Sequence, residues 1–199
     1  GNDTAGQGFY DLAIAVSPVD ANYLVVGGIN HWISSNGGSS WTNTSVWDSG
    51  EVHADVHDLY FLPGSGTTVF SCNDGGISKS INSGDQWTDI SSNLAISQVV
   101  GIGLSQTNVN FIVSGHQGNG TNLKTASTWA NINGGDGGEC FTDYTNNDVI
   151  YVQYVQGAYS RSMNGGVDMD PITTGKPSNI DFYSPFKIDP VNPLKIYSG

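Results

Sequence analysis

A nine-residue pattern recurs along this chain at a spacing that leaves few folds open. Ser34-Ser35-Asn36-Gly37-Gly38-Ser39-Ser40-Trp41-Thr42 and Ser80-Ile81-Asn82-Ser83-Gly84-Asp85-Gln86-Trp87-Thr88 both read S-x-N-x-G-x-x-W-T, with tryptophans 46 residues apart. Ser162-Met163-Asn164-Gly165-Gly166-Val167-Asp168-Met169 repeats the pattern with Met in place of Trp. Trp129 falls between them, after a degenerate stretch with no recognisable loop. A second motif has the same period. Val16-Ser17-Pro18-Val19-Asp20-Ala21-Asn22 and Ile188-Asp189-Pro190-Val191-Asn192-Pro193 each precede a short apolar run, and their first prolines lie 172 residues apart, four periods of 43. A period of this length marks a repeat architecture.

Each period reads as β structure. Short apolar runs are separated by Gly, Asn, Asp and Pro: Leu12–Val16, Tyr23–Val26, His31–Ser35 and a strand at Trp41 in the first period. The next periods give Asp58–Leu62, Val69–Cys72, Ile77–Ile81 and Gln86–Ile90, then Val99–Leu104, Phe111–Ser114, Asn122–Thr125 and Thr128–Ile132. A fourth gives Cys140–Asp143, Ile150–Tyr154, Ala158–Ser162 and a poorly defined strand after Met169; a fifth begins at Phe182–Ile188 and stops at Tyr197. Four short antiparallel strands per period are the blade of a β-propeller. The expected fold is therefore all-β, with blades at about 9–47, 52–92, 97–133 and 137–175 and an incomplete one at 180–199. Four and a half blades match a fragment of a larger six- to eight-bladed or two-propeller protein, with a closed five-blade ring as the alternative. Three tight hairpins per blade explain the 27 glycines, because such turns need positive φ.

Charge narrows the function. Lys and Arg total 6 against 18 Asp and Glu, a formal net charge of −12. Too few cations are present to displace counterions from phosphates, which excludes nucleic acid as a partner. No apolar run approaches the roughly 20 residues of a spanning helix, which argues against membrane insertion. G-x-S-x-G elbows and phosphate-binding loops are absent. Cys72 and Cys140 fall in non-adjacent blades and are expected as two buried free thiols rather than a disulfide.

The S-x-N-x-G-x-x-W element resembles the Asp-box, or bacterial neuraminidase repeat, with Asn36, Asn82 and Asn164 where that family carries Asp. The resemblance implies a structural hairpin between the third and fourth strands of a blade. Ser34, Asn36 and Gly38, Ser80, Asn82 and Gly84, and Ser162, Asn164 and Gly166 would hold the turns, with Trp41, Trp87 and Met169 packed beneath. Further segments are similar to secreted bacterial propellers of the sortilin-like and xyloglucanase-like group. They are His53-Ala54-Asp55-Val56-His57-Asp58-Leu59, Asn73-Asp74-Gly75-Gly76, Gly115-His116-Gln117-Gly118-Asn119-Gly120-Thr121 and Gly134-Gly135-Asp136-Gly137-Gly138. This likeness implies a secreted or cell-surface bacterial protein. Asp-box sialidases hold their substrate carboxylate with three arginines; this chain has only Arg161 and cannot build that triad.

Propeller topology places loops between blades, and between second and third strands, on one face. His53, Asp55, His57 and Asp58 are expected on a joining loop, Asp74, Gln117, Asn119 and Gln156 on second-to-third-strand loops, and Asp136 and Glu139 at entry to the fourth blade. Together they form the candidate ligand-binding face. His53, Asp55 and His57 alternate and suit a metal if they lie on one strand, or else tie loops together by hydrogen bonds. Asp74, Asp136 and Glu139 are candidate carboxylates for glycoside hydrolysis or for Ca²⁺, or simply turn residues. Trp32, Trp47 and Tyr159 are candidate sugar-stacking rings, or else blade packing. The leading expectation is a binding or scaffold module without a cofactor, recognising protein or glycan; the alternative is part of a polysaccharide-cleaving glycoside hydrolase.

Overall fold

A computed structural model describes residues 7–46, 52–176 and 180–199. The chain divides into two compact units, Gly1–Ile96 and Ser97–Gly199.

Unit 1 holds two four-stranded antiparallel sheets, each an up-and-down meander. The first is β1 (Ala13–Val16), β2 (Leu24–Gly27), β3 (His31–Ser34) and β4 (Thr42–Asn43); the second is β5 (Val56–Phe61), β6 (Val69–Asn73), β7 (Gly76–Ser80) and β8 (Thr88–Asp89). Period-two alternation decides which face is buried. Ala13, Ala15 and Val25 of the first sheet pack on Val56, Leu59, Phe61 and Val69 of the second, with Trp87 among them. Small residues let the sheets approach: a Cβ on Gly27 would lie 2.5 Å from the Cβ of Val56.

Unit 2 holds two more four-stranded meanders and a two-stranded sheet. The strands are β9 (Val99–Leu104), β10 (Phe111–His116), β11 (Gly120–Thr125) and β12 (Thr128–Asn133), then β13 (Cys140–Asp143), β14 (Asn146–Gln153), β15 (Tyr159–Ser162) and β16 (Asp170–Ile172), then β17 (Phe186–Ile188) and β18 (Ile196–Ser198). Phe111, Val113 and Leu123 pack on Cys140, Ile150 and Val152. Phe141, Tyr151 and Tyr159 pack on Phe186, whose ring stacks on Tyr159 at 4.2 Å. The fourth strand of the second meander, hard to place by pattern alone, is β16, where Pro171 sits on an edge strand that tolerates a missing N–H. The sheets are propeller blades, and the fold is all-β. Among the described residues no helix is long and apolar enough to cross a membrane.

The repeated S-x-N-x-G boxes fold alike. Each serine Oγ accepts from the glycine N–H four residues on, at 2.9 Å from Gly38, 2.9 Å from Gly84 and 2.8 Å from Gly166. Each Asn Oδ1 accepts the serine hydroxyl and the backbone N–H of Ser40, Gln86 or Asp168. Those three glycines have φ of +86°, +92° and +89°, a region closed to most side chains. Packing beneath the boxes varies. Trp87 is 8% exposed and Met169 is partly buried against the core, whereas Trp41, whose ring lies as close beneath Gly38 as that of Trp87 beneath Gly84, stays 39% exposed. Trp129 follows a two-residue turn and is also exposed. Ile132, on the same strand, packs on the core instead.

The amide in each box has a second use that a carboxylate lacks. Asn36 Nδ2 donates to Ser40 Oγ, Asn82 Nδ2 to Gln86 Oε1, and Asn164 Nδ2 to Asp168 Oδ2 at 2.8 Å. Ser40 and Gln86 can turn to donate to an acid, but Asp168 cannot. Asn164→Asp is therefore expected to cost about 1 kcal/mol, relieved by salt, while Asn36→Asp is close to neutral. Urea unfolding of the two variants at low and high salt measures the contrast.

The cysteines depart from expectation in one respect. Both are free, but Cys72 is exposed and only Cys140 is buried. Burial pushes the Cys140 thiol up to about 12, which makes it inert at neutral pH.

Candidate functional site

The polar residues singled out by sequence form a group within each unit. In unit 1 the turn Gln7–Asp11 approaches the entry to β5 and the β6–β7 hairpin. Gln7 O accepts the N–H groups of Tyr10 and Asp11, which aims both side chains at this region. Asp74, in the two-residue β6–β7 turn, takes the Tyr10 hydroxyl at 2.9 Å and His57 Nε2 at 2.6 Å. His57 Nδ1 lies 3.2 Å from Tyr10 O. Both ring nitrogens thus face oxygen atoms. Tyr10 meets the His57 ring edge-on at 4.9 Å.

Asp55 and Asp11 form the second half of this group. Asp55 Oδ1 accepts Gln7 Nε2 at 3.1 Å, and the same amide lies 3.4 Å from Asp11 Oδ2, so the two carboxyl groups sit side by side. Burial, reinforced by the Asp74 and Asp11 carboxylates, pushes Asp55 up to about 6. Burial also raises Asp11. Asp55 has φ of +62°, a left-handed conformation that costs a non-glycine residue of order 1 kcal/mol and persists where surroundings enforce it.

These positions correct the expected joining loop. His57 and Asp58 lie on β5, not before it, and the β5–β6 register shifts between Val56 and Asp58. The bulge and the left-handed Asp55 break the alternation that placed His53, Asp55 and His57 on one side. His53 Nδ1 turns to Ala54 O, and exposed Asp58 accepts from Leu59 N. Among the described residues no three His, Cys, Asp or Glu side chains are grouped to hold a metal.

In unit 2 the hairpin Gln117-Gly118-Asn119 joins β10 to β11. Asp136, from the segment entering β13, accepts Gln117 Nε2 at 2.6 Å and Gly118 N at 2.9 Å. Tyr183 donates to Gln117 Oε1. Asn119 Nδ2 donates to Gln117 O. Gly137 N donates to His116 O and Gly120 N to Gly135 O, so the entering segment is zipped along the hairpin. Behind it, fully buried Gln153 accepts Glu139 N and donates to the carbonyl and hydroxyl of Ser184 at 3.0 Å each. Glu139 pairs with Lys187 at 2.8 Å. Gln156 sits in the β14–β15 loop with φ of +54°, its N–H on Phe182 O. His116 bonds Ser97 Oγ through Nδ1 and Ser114 Oγ through Nε2, and burial lowers its basicity.

Tyr159 is 3% exposed and stacked, so it offers no sugar platform; Trp32 is 37% exposed, and Trp47 lies outside the described residues. Sequence reading missed Gln7, Tyr10, Asp11, Gln153, Tyr183 and Ser184. The Tyr-Asp pair just ahead of β1 was the one available signal, since polar residues at a strand entry sit beside blade-joining loops.

No family model matches the chain, and no curated protein matches it in sequence. Among solved structures it is similar to the GH74 xyloglucanase from Xanthomonas campestris, with 12% identity, TM-score 0.43, and coverage of 93% of this chain and 34% of that one. An ancestral GH74 enzyme gives 16% identity and TM-score 0.37 over 86% of this chain and 25% of that one. YCF48 from Cyanidioschyzon merolae gives 12% identity and TM-score 0.39 over 95% of this chain and 92% of that one. The chain thus spans about a third or less of the two GH74 structures. These likenesses concern fold class alone.

Proposed function

We propose that this chain is a propeller binding and scaffold module, secreted or at a bacterial cell surface, which recognises protein or glycan through its hairpin and blade-joining loops. The S-x-N-x-G hairpins are read as Asp-boxes of the sortilin-like group. One observation carries the preference for binding over hydrolysis: each of the three candidate carboxylates already has a side-chain partner. Asp74 holds His57 and Tyr10, Asp136 holds the Gln117–Gly118 turn, and Glu139 holds Lys187. A glycosidase needs two carboxyl groups about 5–9.5 Å apart and free to reach substrate. Loops tied down in this way lose little entropy when a ligand docks, which favours recognition.

The test exposes the full chain to a glycan array, to soluble polysaccharides and to surface-protein extracts. The expected result is retention of a glycan or protein without release of reducing sugar. Asp136→Ala, which frees the Gln117 hairpin, is expected to weaken retention about tenfold, equivalent to about 1.4 kcal/mol. Release of reducing sugar, or no retention of any ligand, overturns the proposal.

A further inference from the structure

We propose that Asp11 and Asp55 together bind a hard divalent cation of the calcium class, tying the Gln7–Asp11 turn to the entry of β5. Asp11 is 2% exposed, and its Oδ1 atom has no hydrogen-bond partner. A buried carboxylate oxygen without a donor forfeits its hydration with nothing in return. Gln7 Nε2 lies 3.4 Å from Asp11 Oδ2 and 3.1 Å from Asp55 Oδ1, which sets a second carboxylate beside the one that carries the orphan oxygen. Asp74 adds a third negative charge to the same field.

The chain supplies little to balance these charges. Residues 1–96 contain ten acidic side chains and one lysine, Lys79, with no arginine. Lys79 lies over the Phe70 ring, 5.9 Å from its centre. His57 is committed to Asp74. A bound cation compensates a buried carboxylate pair, and it is the one compensation that also satisfies Asp11 Oδ1 without protonating either acid.

The donor set indicates which cation. The atoms facing the space are carboxylate oxygens and the Gln7 side-chain amide, whose oxygen and nitrogen exchange places by a simple flip. No thiolate or imidazole is directed there, which disfavours zinc and the softer metals. Among the described residues no third acidic, His or Cys group completes a cage, so water fills the remaining positions. Calcium accepts such mixed, irregular oxygen shells more readily than magnesium, which demands near-octahedral geometry. This ligand set differs from the His53, Asp55 and His57 alternation visible in the sequence, because Asp11 comes from a turn more than forty residues upstream.

The experiment uses the full chain stripped with EDTA. Thermal unfolding is followed with CaCl₂, with MgCl₂ and with EDTA alone, and Tb³⁺ luminescence excited through neighbouring aromatic rings is titrated with competing Ca²⁺. The expected results are a rise of several degrees in Tm with Ca²⁺ that grows with its concentration, a smaller rise with Mg²⁺, and Tb³⁺ emission displaced by Ca²⁺. Asp55→Asn and Asp11→Asn are each expected to abolish the Ca²⁺ shift and to cut Tb³⁺ emission at least tenfold. If Asp11→Asn does not fold, the half-buried Asp55→Asn decides. A wild-type Tm that ignores Ca²⁺ overturns the proposal, as does a Ca²⁺ shift that survives in Asp55→Asn. An Asp55→Asn variant more stable than wild type in EDTA, with no Ca²⁺ response in wild type, assigns the pair to a shared proton and likewise overturns it.

Discussion

Gly115→Ala is expected to destabilise unit 2 by about 3 kcal/mol or more, among the largest effects a single methyl group can have here. Gly115 lies in β10, and a Cβ built on it would fall inside the carbonyl oxygen of Gly138. Its neighbours across the sheet share the constraint. A Cβ on Gly101 would lie 2.6 Å from Gly138 O, and one on Gly103 2.6 Å from the Cα of Phe141. The β9–β10 face therefore meets the next blade backbone to backbone, and a main chain held by its own hydrogen bonds cannot swing aside as a side chain can. Relief would need the segment 137–140 to retreat, which would break the Gly137 N–H to His116 O bond and expose Cys140. Gly134→Ala is the control: no heavy atom lies within 4 Å of the added Cβ, and the change is expected to stay within about 0.5 kcal/mol. Urea midpoints followed by circular dichroism and by Trp129, the only tryptophan of unit 2, measure the difference. Equal midpoints for the two variants would show that the blades do not meet this closely.

His31 is expected to make unit 1 acid-sensitive. The ring is fully buried at 4.3 Å from Trp87, with Nδ1 3.0 Å from Ser45 Oγ and Nε2 2.8 Å from Ser71 Oγ. Two hydroxyls satisfy a neutral imidazole, but nothing nearby offsets a charged one. Burial lowers the ring from 6.5 to about 4. Its folded value lies below its unfolded value, so between these limits the unfolded chain binds the extra proton. Stability is intact above pH 6.5 and falls by about 3 kcal/mol as pH drops towards 4. His31→Gln, which keeps part of the hydrogen bonding, is expected to cost about 2–4 kcal/mol at pH 7 and to remove that share of the acid sensitivity. Comparing urea midpoints of wild type and variant from pH 7.5 to about 4 isolates the effect from the carboxylates, which both proteins share. Parallel curves for the two would disprove it.

Much of the blade pattern was legible because its cause is local. Alternation at β9 gives a strand at Val99–Leu104 in both sequence and structure, since it needs only one buried face, while the short apolar run Cys140–Asp143 gives β13, buried along its whole length. The S-x-N-x-G turns were legible for the same reason: serine, asparagine and glycine close their bonds within five residues. Trp41 and Trp129 were less legible, because whether a ring is covered depends on a neighbouring sheet rather than on the hairpin that carries it. The His53, Asp55 and His57 alternation misled for a related reason. A bulge between Val56 and Asp58 and the left-handed Asp55 reset which way each side chain points.

The repeat thus determined by itself that this chain forms short antiparallel sheets about 43 residues apart, and a lone arginine determined that it builds no arginine triad. Only the tertiary structure decided that Asp11 meets Asp55, that Asp74 is held by Tyr10 and His57, and that Gly115 must be glycine. Hairpins and alternation depend on bonds and faces a few residues apart, whereas these contacts join residues of different blades, whose approach distance no local pattern encodes.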